Sequence, residues 1–375
     1  MKTGRSCDAV VAGGGIVGAA CAAELARAGL RTALVEPAQL GGGATAAGMG
    51  HIAVMDDSEA QFAFTRYSQL LWKELAERLP AVVEYLPCGS LWVAADDQEM
   101  AEVHRKDRYY RSRNVPVEVL DSQGLADAEP NLRPGLAGGL IMMDDAVLYP
   151  PCATRFLVSA EESPGVGIIL GRSVVEVTDE GAGLDDGTWL PAGCIVSATG
   201  AMASKLAPGI NIQPRKGHLV ITDRYPGFLR HQLIELGYLK SAHSLDSDSV
   251  AFNVQPRRTG QILIGSSRQY GTRDPEVEPH MIDAMLRRAL DYMPGLADFS
   301  AIRCWTGFRA ATPDKLPLIG ICPGFENVYL ATGHEGLGIS TSLATGKLLT
   351  DLILDRNSAI PREPYAPERV YAHHG

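Results

Sequence analysis

The residues that most constrain this chain are Gly13-Gly14-Gly15-Ile16-Val17-Gly18. They follow the apolar run Asp8–Ala12 and lead into the alanine-rich stretch Ala19–Ala28, which Gly29 closes; a second apolar run, Arg31–Val35, ends at Glu36. Strand, glycine turn, helix and strand form a βαβ unit, with Gly13-x-Gly15-x-x-Gly18 at the strand-to-helix turn. The glycines there have separate tasks: a tight turn, approach of backbone to a pyrophosphate, and close packing of helix on sheet. The helix amino terminus faces the phosphates with the positive end of its dipole. Glu36, 18 residues beyond Gly18, is placed to accept hydrogen bonds from a ribose diol.

Flavoenzymes that also use a pyridine nucleotide carry a second such fingerprint in mid-chain. Gly41-x-Gly43-x-x-Ala46 is superficially similar, but no strand runs directly into it and no ribose acid follows suitably. One dinucleotide site, at the extreme amino terminus, favours FAD.

The 375 residues suggest two or three domains at roughly 100–200 residues each. A net charge of −10 argues against nucleic acid as a partner, because phosphate binding needs a basic face. The basic residues at Arg105–Arg108 and Arg111–Arg113 have acidic neighbours and read as a solvated helix face. Seven scattered cysteines include no Cys-x-x-Cys pair, so neither a zinc site nor an Fe–S cluster is encoded locally. A reducing compartment fits best. No signal-peptide pattern follows Lys2 and Arg5, and no apolar run reaches the ~18 residues of a membrane span. The expectation is a cytoplasmic enzyme with no transmembrane segment, free or peripheral to the inner membrane.

Gly41–Gly50 is a glycine-rich loop, and Phe62, Leu70, Leu71, Leu75 and Leu79 predict a helix over Ser58–Leu79 that stops at Pro80. Next come a strand at Gly89–Ala95, a charged helix at Gln98–Arg113, a strand at Leu136–Met143 and a helix at Pro150–Glu162 opening on prolines. The apolar strand Cys194–Ala198 leads into Thr199-Gly200. Short β-like runs fill Arg215–Arg268, among them Gly217–Thr222, Val250–Val254 and Gln261–Gly265, before a helix at Pro279–Met293. Strands at Leu316–Ile321 and Val328–Ala331, a glycine-rich turn and a helix at Gly338–Leu354 complete the chain. The fold class is therefore α/β with an α+β second domain. Residues 1–84, 148–212 and 303–375 read as a Rossmann-like FAD-binding domain. Residues 85–147 and 213–302 read as an interleaved, antiparallel-sheet substrate-binding domain.

From end to end the sequence resembles the D-amino-acid oxidase/glycine oxidase superfamily. The resemblance rests on Gly13–Gly18, Glu36, Ala44-Thr45-Ala46-Ala47-Gly48-Met49 and Ser197-Ala198-Thr199-Gly200. It continues through Gly307–Gly320, with Phe308-Arg309, Thr312-Pro313-Asp314 and Pro317-Leu318-Ile319-Gly320, to Gly333-His334-Glu335-Gly336-Leu337-Gly338. The Ala-Ala-Gly-Met stretch is similar to glycine oxidase; the His-Glu-Gly-Leu-Gly-Ile ending looks most like bacterial dehydrogenases of D-hydroxyproline and related imino acids. The resemblance implies a flavin seat built from Gly13, Gly15, Ile16, Val17, Gly18, Glu36 and Pro37. Ala44, Thr45, Ala47, Gly48, Met49, Val174, Val175, Thr199 and Gly200 extend it. Gly307, Arg309, Gly333, His334, Glu335, Gly336, Leu337, Gly338 and Ile339 complete it. Backbone N–H groups of Gly333–Gly338, with the helix dipole, would stabilise negative charge on reduced flavin.

Arg309 matches the arginine that binds the substrate carboxylate in these enzymes, and a guanidinium fork suits that task. The resemblance places His51 and His334 near the isoalloxazine, Glu335 where it would bind amine or order water, and Met49 as an apolar wall. Glycine oxidase often has an aromatic residue where this chain has Asn253, which points to a more polar ligand. Monomeric sarcosine oxidases link flavin to a cysteine at the position of Gly307, and Cys304 lies three residues upstream. Noncovalent FAD is therefore expected. The implied reaction is oxidation of a small D-amino or D-imino acid, proline- or hydroxyproline-like, by hydride transfer from Cα to flavin N5, giving an imine. The alternatives are a glycine or sarcosine oxidase using O2, and the catalytic subunit of a heteromeric dehydrogenase. The electron acceptor would be O2, a quinone or an Fe–S partner subunit.

Overall fold

A computed structural model describes residues 7–237 and 248–371. Lys2, Arg5 and the part of the β-like stretch at 238–247 lie outside the described residues. Ala9–Ala12 occupies the middle of a six-stranded sheet, flanked in parallel by Cys194–Ser197 and Thr32–Glu36. Val166–Leu170 and Val328–Thr332 extend the parallel array, and Leu318–Ile321 closes one edge antiparallel. The central strand is buried along its whole length, as its unbroken apolar run requires. The helix Ile16–Arg27 packs beside it against the helix Gly338–Ile353. Small residues permit that approach: a Cβ on Gly346 would lie 2.7 Å from the Ala20 carbonyl oxygen.

An eight-stranded sheet forms the second layer. Its order runs Ala301–Ala311, Gln213–Arg224, Gln261–Arg268, Ser249–Pro256, Gln232–Glu235, Ser90–Ala94, Gly138–Met142 and Val117–Asp121. The β-like runs of the sequence thus merge into longer strands than their apolar patterns mark. One expected boundary is corrected: residue 303 falls inside the strand Ala301–Ala311, which pairs with Gln213–Arg224 in this sheet. The helix at Pro150 ends at Leu157 rather than Glu162. One face of the eight-stranded sheet packs Phe252, Val254, Ile262 and Ile264 against the helix Pro279–Tyr292, where the rings of Phe252 and Tyr292 stack at 4.4 Å. The opposite face turns toward the six-stranded sheet's glycine loops.

The charged helix, Asp97–Arg111, is capped by Asp96, whose Oδ1 accepts from the Glu99 N–H at 2.8 Å. Its basic residues are not all solvated: Lys106 is 2% exposed, ion-paired with Asp56 and lying over the Trp92 ring. A buried ammonium requires such a partner.

Asp145 joins the layers. Its Oδ1 accepts from Gln69 Nε2 at 2.6 Å and from the Val54 N–H at 3.3 Å, and burial pushes its carboxyl up to about 8. In the unfolded chain this carboxyl ionises near about pH 4, whereas the folded protein keeps the proton to about 8. The folded state therefore binds more protons between those values, and stability falls as pH rises through them. Asp145→Asn, which keeps the acceptor oxygen and cannot ionise, should flatten that fall. Melting temperatures of the two proteins at pH 5 and pH 8 test this: the wild type should lose ground to the variant at pH 8.

Candidate active site

The glycine turn comes first. Gly13 has φ +108°, and a Cβ there would lie 2.6 Å from the Ala198 carbonyl oxygen. Gly18 does not line the cavity; it lets the helix meet the strand, since its Cβ would fall 1.9 Å from the Gly13 oxygen. Glu36 Oε2 accepts from the Gly14 N–H at 2.7 Å and Oε1 from the Ala38 N–H at 2.9 Å, fixing the carboxylate beside the turn. The N-cap of the helix that starts at Ile16 is Gly15, which has no side chain to cap it, and no acid sits in the first turn. Thr45 Oγ1 accepts from the Ile16 N–H at 3.0 Å and so ties in the next loop.

That loop contains a short helix, Gly43–Ala47, and the two-residue strand His51–Ile52. It docks on the eight-stranded sheet at Gly307, where a Cβ would lie 2.3 Å from Ala47 Cβ. Opposite, Gly333 turns with φ +76° and Glu335 with φ +54°, and the Glu335 N–H donates to the Ala310 oxygen at 2.8 Å. Together these loops enclose a cavity of about 410 Å³ between the two sheets.

Nearly every expected residue converges on it. Gly13, Gly15, Ile16, Val17, Glu36, Ala44, Thr45, Ala47, Gly48, Met49, His51, Thr199, Gly200, Asn253, Gly307, Arg309 and Gly333–Ile339 all line the cavity. Pro37, Val174 and Val175 do not. Val174 packs into the apolar cluster on the outer side of the six-stranded sheet, and Val175 is 57% exposed. Cys304 is exposed, and no cysteine lines the cavity among the described residues.

Arg309 is held by geometry that the sequence does not display. Its side chain crosses Gly217 on the neighbouring strand, where a Cβ would lie 2.3 Å from Nη1, and Nη1 donates to the Ser267 carbonyl at 3.1 Å. Directly across in register stands Arg215, ion-paired with Glu335 and lying over the Tyr270 ring at 4.6 Å. Glu335 is thus engaged by a cation on the protein. Arg215, Arg268, His218, Ser266, Lys315 and Trp92 line the cavity too and were not legible from the sequence. Five of them lie on strands whose register only the folded sheet supplies, and Lys315 lies in the loop between two strands.

Both expected histidines are neutral. Burial lowers His51 to about 4, with the Arg309 charge adding to it, and burial lowers His334 to about 3. Ser90 Oγ donates to Gln232 Oε1 at 3.1 Å, which turns the Gln232 amide nitrogen toward His51 Nδ1 at 2.7 Å. That nitrogen also lies 3.1 Å from Nε2. His334 Nε2 lies 2.9 Å from Thr345 Oγ1, which binds the ring to the following helix. Asn253 is 7% exposed, and its Oδ1 has no hydrogen-bond partner among the described residues.

The family model of the DAO FAD dependent oxidoreductases matches residues 8–352. The chain belongs to that family. Glycine oxidase of Geobacillus kaustophilus is 27% identical over 383 residues, covering 96% of this chain and 97% of the relative. The bifunctional protein ThiO/ThiG of Nostoc sp. is 30% identical over 371 residues, covering 94% of this chain and 53% of that longer protein. The crystal structure of the Geobacillus kaustophilus glycine oxidase superposes with a TM-score of 0.86 at 26% identity, covering 99% of this chain and all of that one. The protein is an FAD-dependent oxidoreductase. The cavity fits the cofactor: a helix terminus with glycine as its N-cap for the pyrophosphate, Glu36 beside it, and glycines where side chains would fill the space. No helix among the described residues is long and apolar enough to cross a membrane.

Gly307→Ala should loosen the cofactor, because its methyl group would displace the Gly43–Ala47 helix from the sheet. Gly167→Ala, whose added Cβ would lie 3.8 Å from the Thr32 carbonyl oxygen, serves as the control. The flavin-to-protein absorbance ratio after gel filtration should fall in the first and stay at the wild-type value in the second.

Proposed function

We propose that this protein oxidises the Cα–N bond of a small D-amino or D-imino acid of proline or hydroxyproline type to the imine, with Arg309 holding the carboxylate. The observation that carries this reading is the placement of Arg309. Its guanidinium is laid over Gly217 and anchored on one nitrogen within the cavity that fits FAD. Fixing a fork in this way pre-orients a bidentate pair with a carboxylate. Bound FAD supplies the two-electron acceptor.

The remaining side chains orient rather than ionise. Asn253 Oδ1, a buried acceptor with no donor among the described residues, suits the substrate's N–H. His51 stays uncharged at neutral pH, so it repels neither Arg309 nor an amine. We assign His334 and Glu335 to the fold of their loop, through Thr345 and Arg215, rather than to proton transfer. The amine must reach the site unprotonated, and no further general base is then needed.

The glycine oxidases among its relatives support a second reading, in which glycine or sarcosine is the substrate and O2 the acceptor. In a third, a quinone or an Fe–S partner subunit takes the electrons. Anaerobic mixing of the holoenzyme with D-proline, cis-4-hydroxy-D-proline, D-alanine, glycine and sarcosine, watching the flavin bleach, separates substrates. Peroxide formation in air then identifies O2 as acceptor. Bleaching by none of the five would overturn the amino-acid reading. Arg309→Ala should raise KM for the best substrate roughly 100-fold, the loss of a charge-assisted pair worth about 3 kcal/mol; steady-state kinetics check it.

A further inference from the structure

We propose that Ser267 is a positioning residue for Arg309: its hydroxyl satisfies the backbone N–H of His218, which leaves the Ser267 carbonyl to hold the guanidinium that meets the substrate's carboxylate. This rests on the reading of Arg309 given above and adds how the sheet supports that arginine.

The strands Gln213–Arg224 and Gln261–Arg268 are antiparallel neighbours, with Ala301–Ala311 on the far side of the first. Val220 pairs with Ile264 and, further along, Lys216 pairs with Gln269. Between these pairs three residues of one strand stand opposite four of the other, a β-bulge of the kind that re-aims groups beside a site. Continued from Lys216 and Gln269, a regular ladder would set His218 against Ser267 and join the His218 N–H to the Ser267 carbonyl. That pair is not formed. The His218 N–H donates instead to Ser267 Oγ at 2.8 Å, and the Ser267 carbonyl accepts from Arg309 Nη1 at 3.1 Å. Arg309 reaches it by crossing the intervening strand at Gly217, where no Cβ stands in the way.

The His218 imidazole secures this exchange. The Glu278 N–H donates to Nε2 at 3.1 Å, and burial, with the Lys216 charge adding to it, holds the ring below the ordinary histidine value and uncharged at neutral pH. Nδ1 then carries the ring's hydrogen and donates to Ser267 Oγ at 2.9 Å. Glu278 also ties both strands beyond the bulge: its Oε1 accepts from Lys216 Nζ at 2.8 Å and its Oε2 from Gln269 Nε2 at 2.9 Å. His218 and Ser267 are fully buried, so each donor there needs an acceptor. With the hydroxyl gone, the His218 N–H competes for the carbonyl that holds Arg309.

The test is an acetate titration of the holoenzyme read in the visible flavin spectrum, with flavin content recorded for each protein. Ser267→Ala should weaken acetate about 10-fold at unchanged flavin content, the low end for a hydrogen bond to a charged group. Ser267→Thr, which keeps the hydroxyl, should recover most of that affinity. A side chain that merely packed would respond the other way, because the added methyl group overfills a buried site. His218→Asn, which retains a donor for the hydroxyl, should bind acetate more tightly than His218→Phe, and this pair carries the test if Ser267→Ala fails to hold flavin. Equal affinity in the wild type and Ser267→Ala would overturn the proposal, as would equal losses in Ser267→Ala and Ser267→Thr or equal affinities in the two His218 variants. Arg309→Ala separates the proposal from the reading beneath it. An unchanged acetate shift there, or no shift in the wild type, overturns the reading of Arg309 itself; a shift lost there but unaffected in Ser267→Ala removes only the role of Ser267.

Discussion

The site depends on one strand, Ala301–Ala311, meeting two glycine-dependent contacts two residues apart. At Gly307 the strand receives the Gly43–Ala47 helix, with no room for a Cβ. At Arg309 it sends a guanidinium across Gly217 into the same cavity. The first contact fixes where the Gly43–Ala47 helix rests, and the second fixes where the Arg309 guanidinium lies. Because both belong to one extended backbone, the distance between them is set by strand geometry and not by loop flexibility.

Electrostatics follow from the same closure. A cavity between two sheets is poorly solvated, so it suppresses the charged forms of His51 and His334 and demands a partner for each fixed charge. Arg215 finds Glu335, which adopts a left-handed backbone to reach it. Among the described residues Asn253 Oδ1 has none, which is why it reads as a contact reserved for a ligand.

Much of this was legible in the sequence. The glycine turn, Glu36, the Ala44–Met49 loop and the Gly333–Gly338 loop are contiguous motifs that local sequence displays, and the structure gathers them at one cavity. Arg215, Arg268 and Ser266 were not legible, because their importance lies in which strands lie side by side. The strand order that puts Ala301–Ala311 next to Gln213–Arg224 also moves the boundary once expected at 303. Lys106 misled for a related reason: its acidic partner, Asp56, is 50 residues away and invisible to a reading of local charge. Pro37, Val174 and Val175 came from a resemblance alone, and the backbone around them does not bring them to the cavity.

The central claim is that Arg309 seats a carboxylate beside the bound flavin. It is tested most directly by titrating the holoenzyme with acetate, a carboxylate that cannot be oxidised at a Cα–N bond, and recording the visible flavin spectrum. A saturable spectral shift in the wild type that is lost in Arg309→Ala, with flavin content unchanged, is the predicted result. The same shift at the same acetate concentration in both proteins would contradict it.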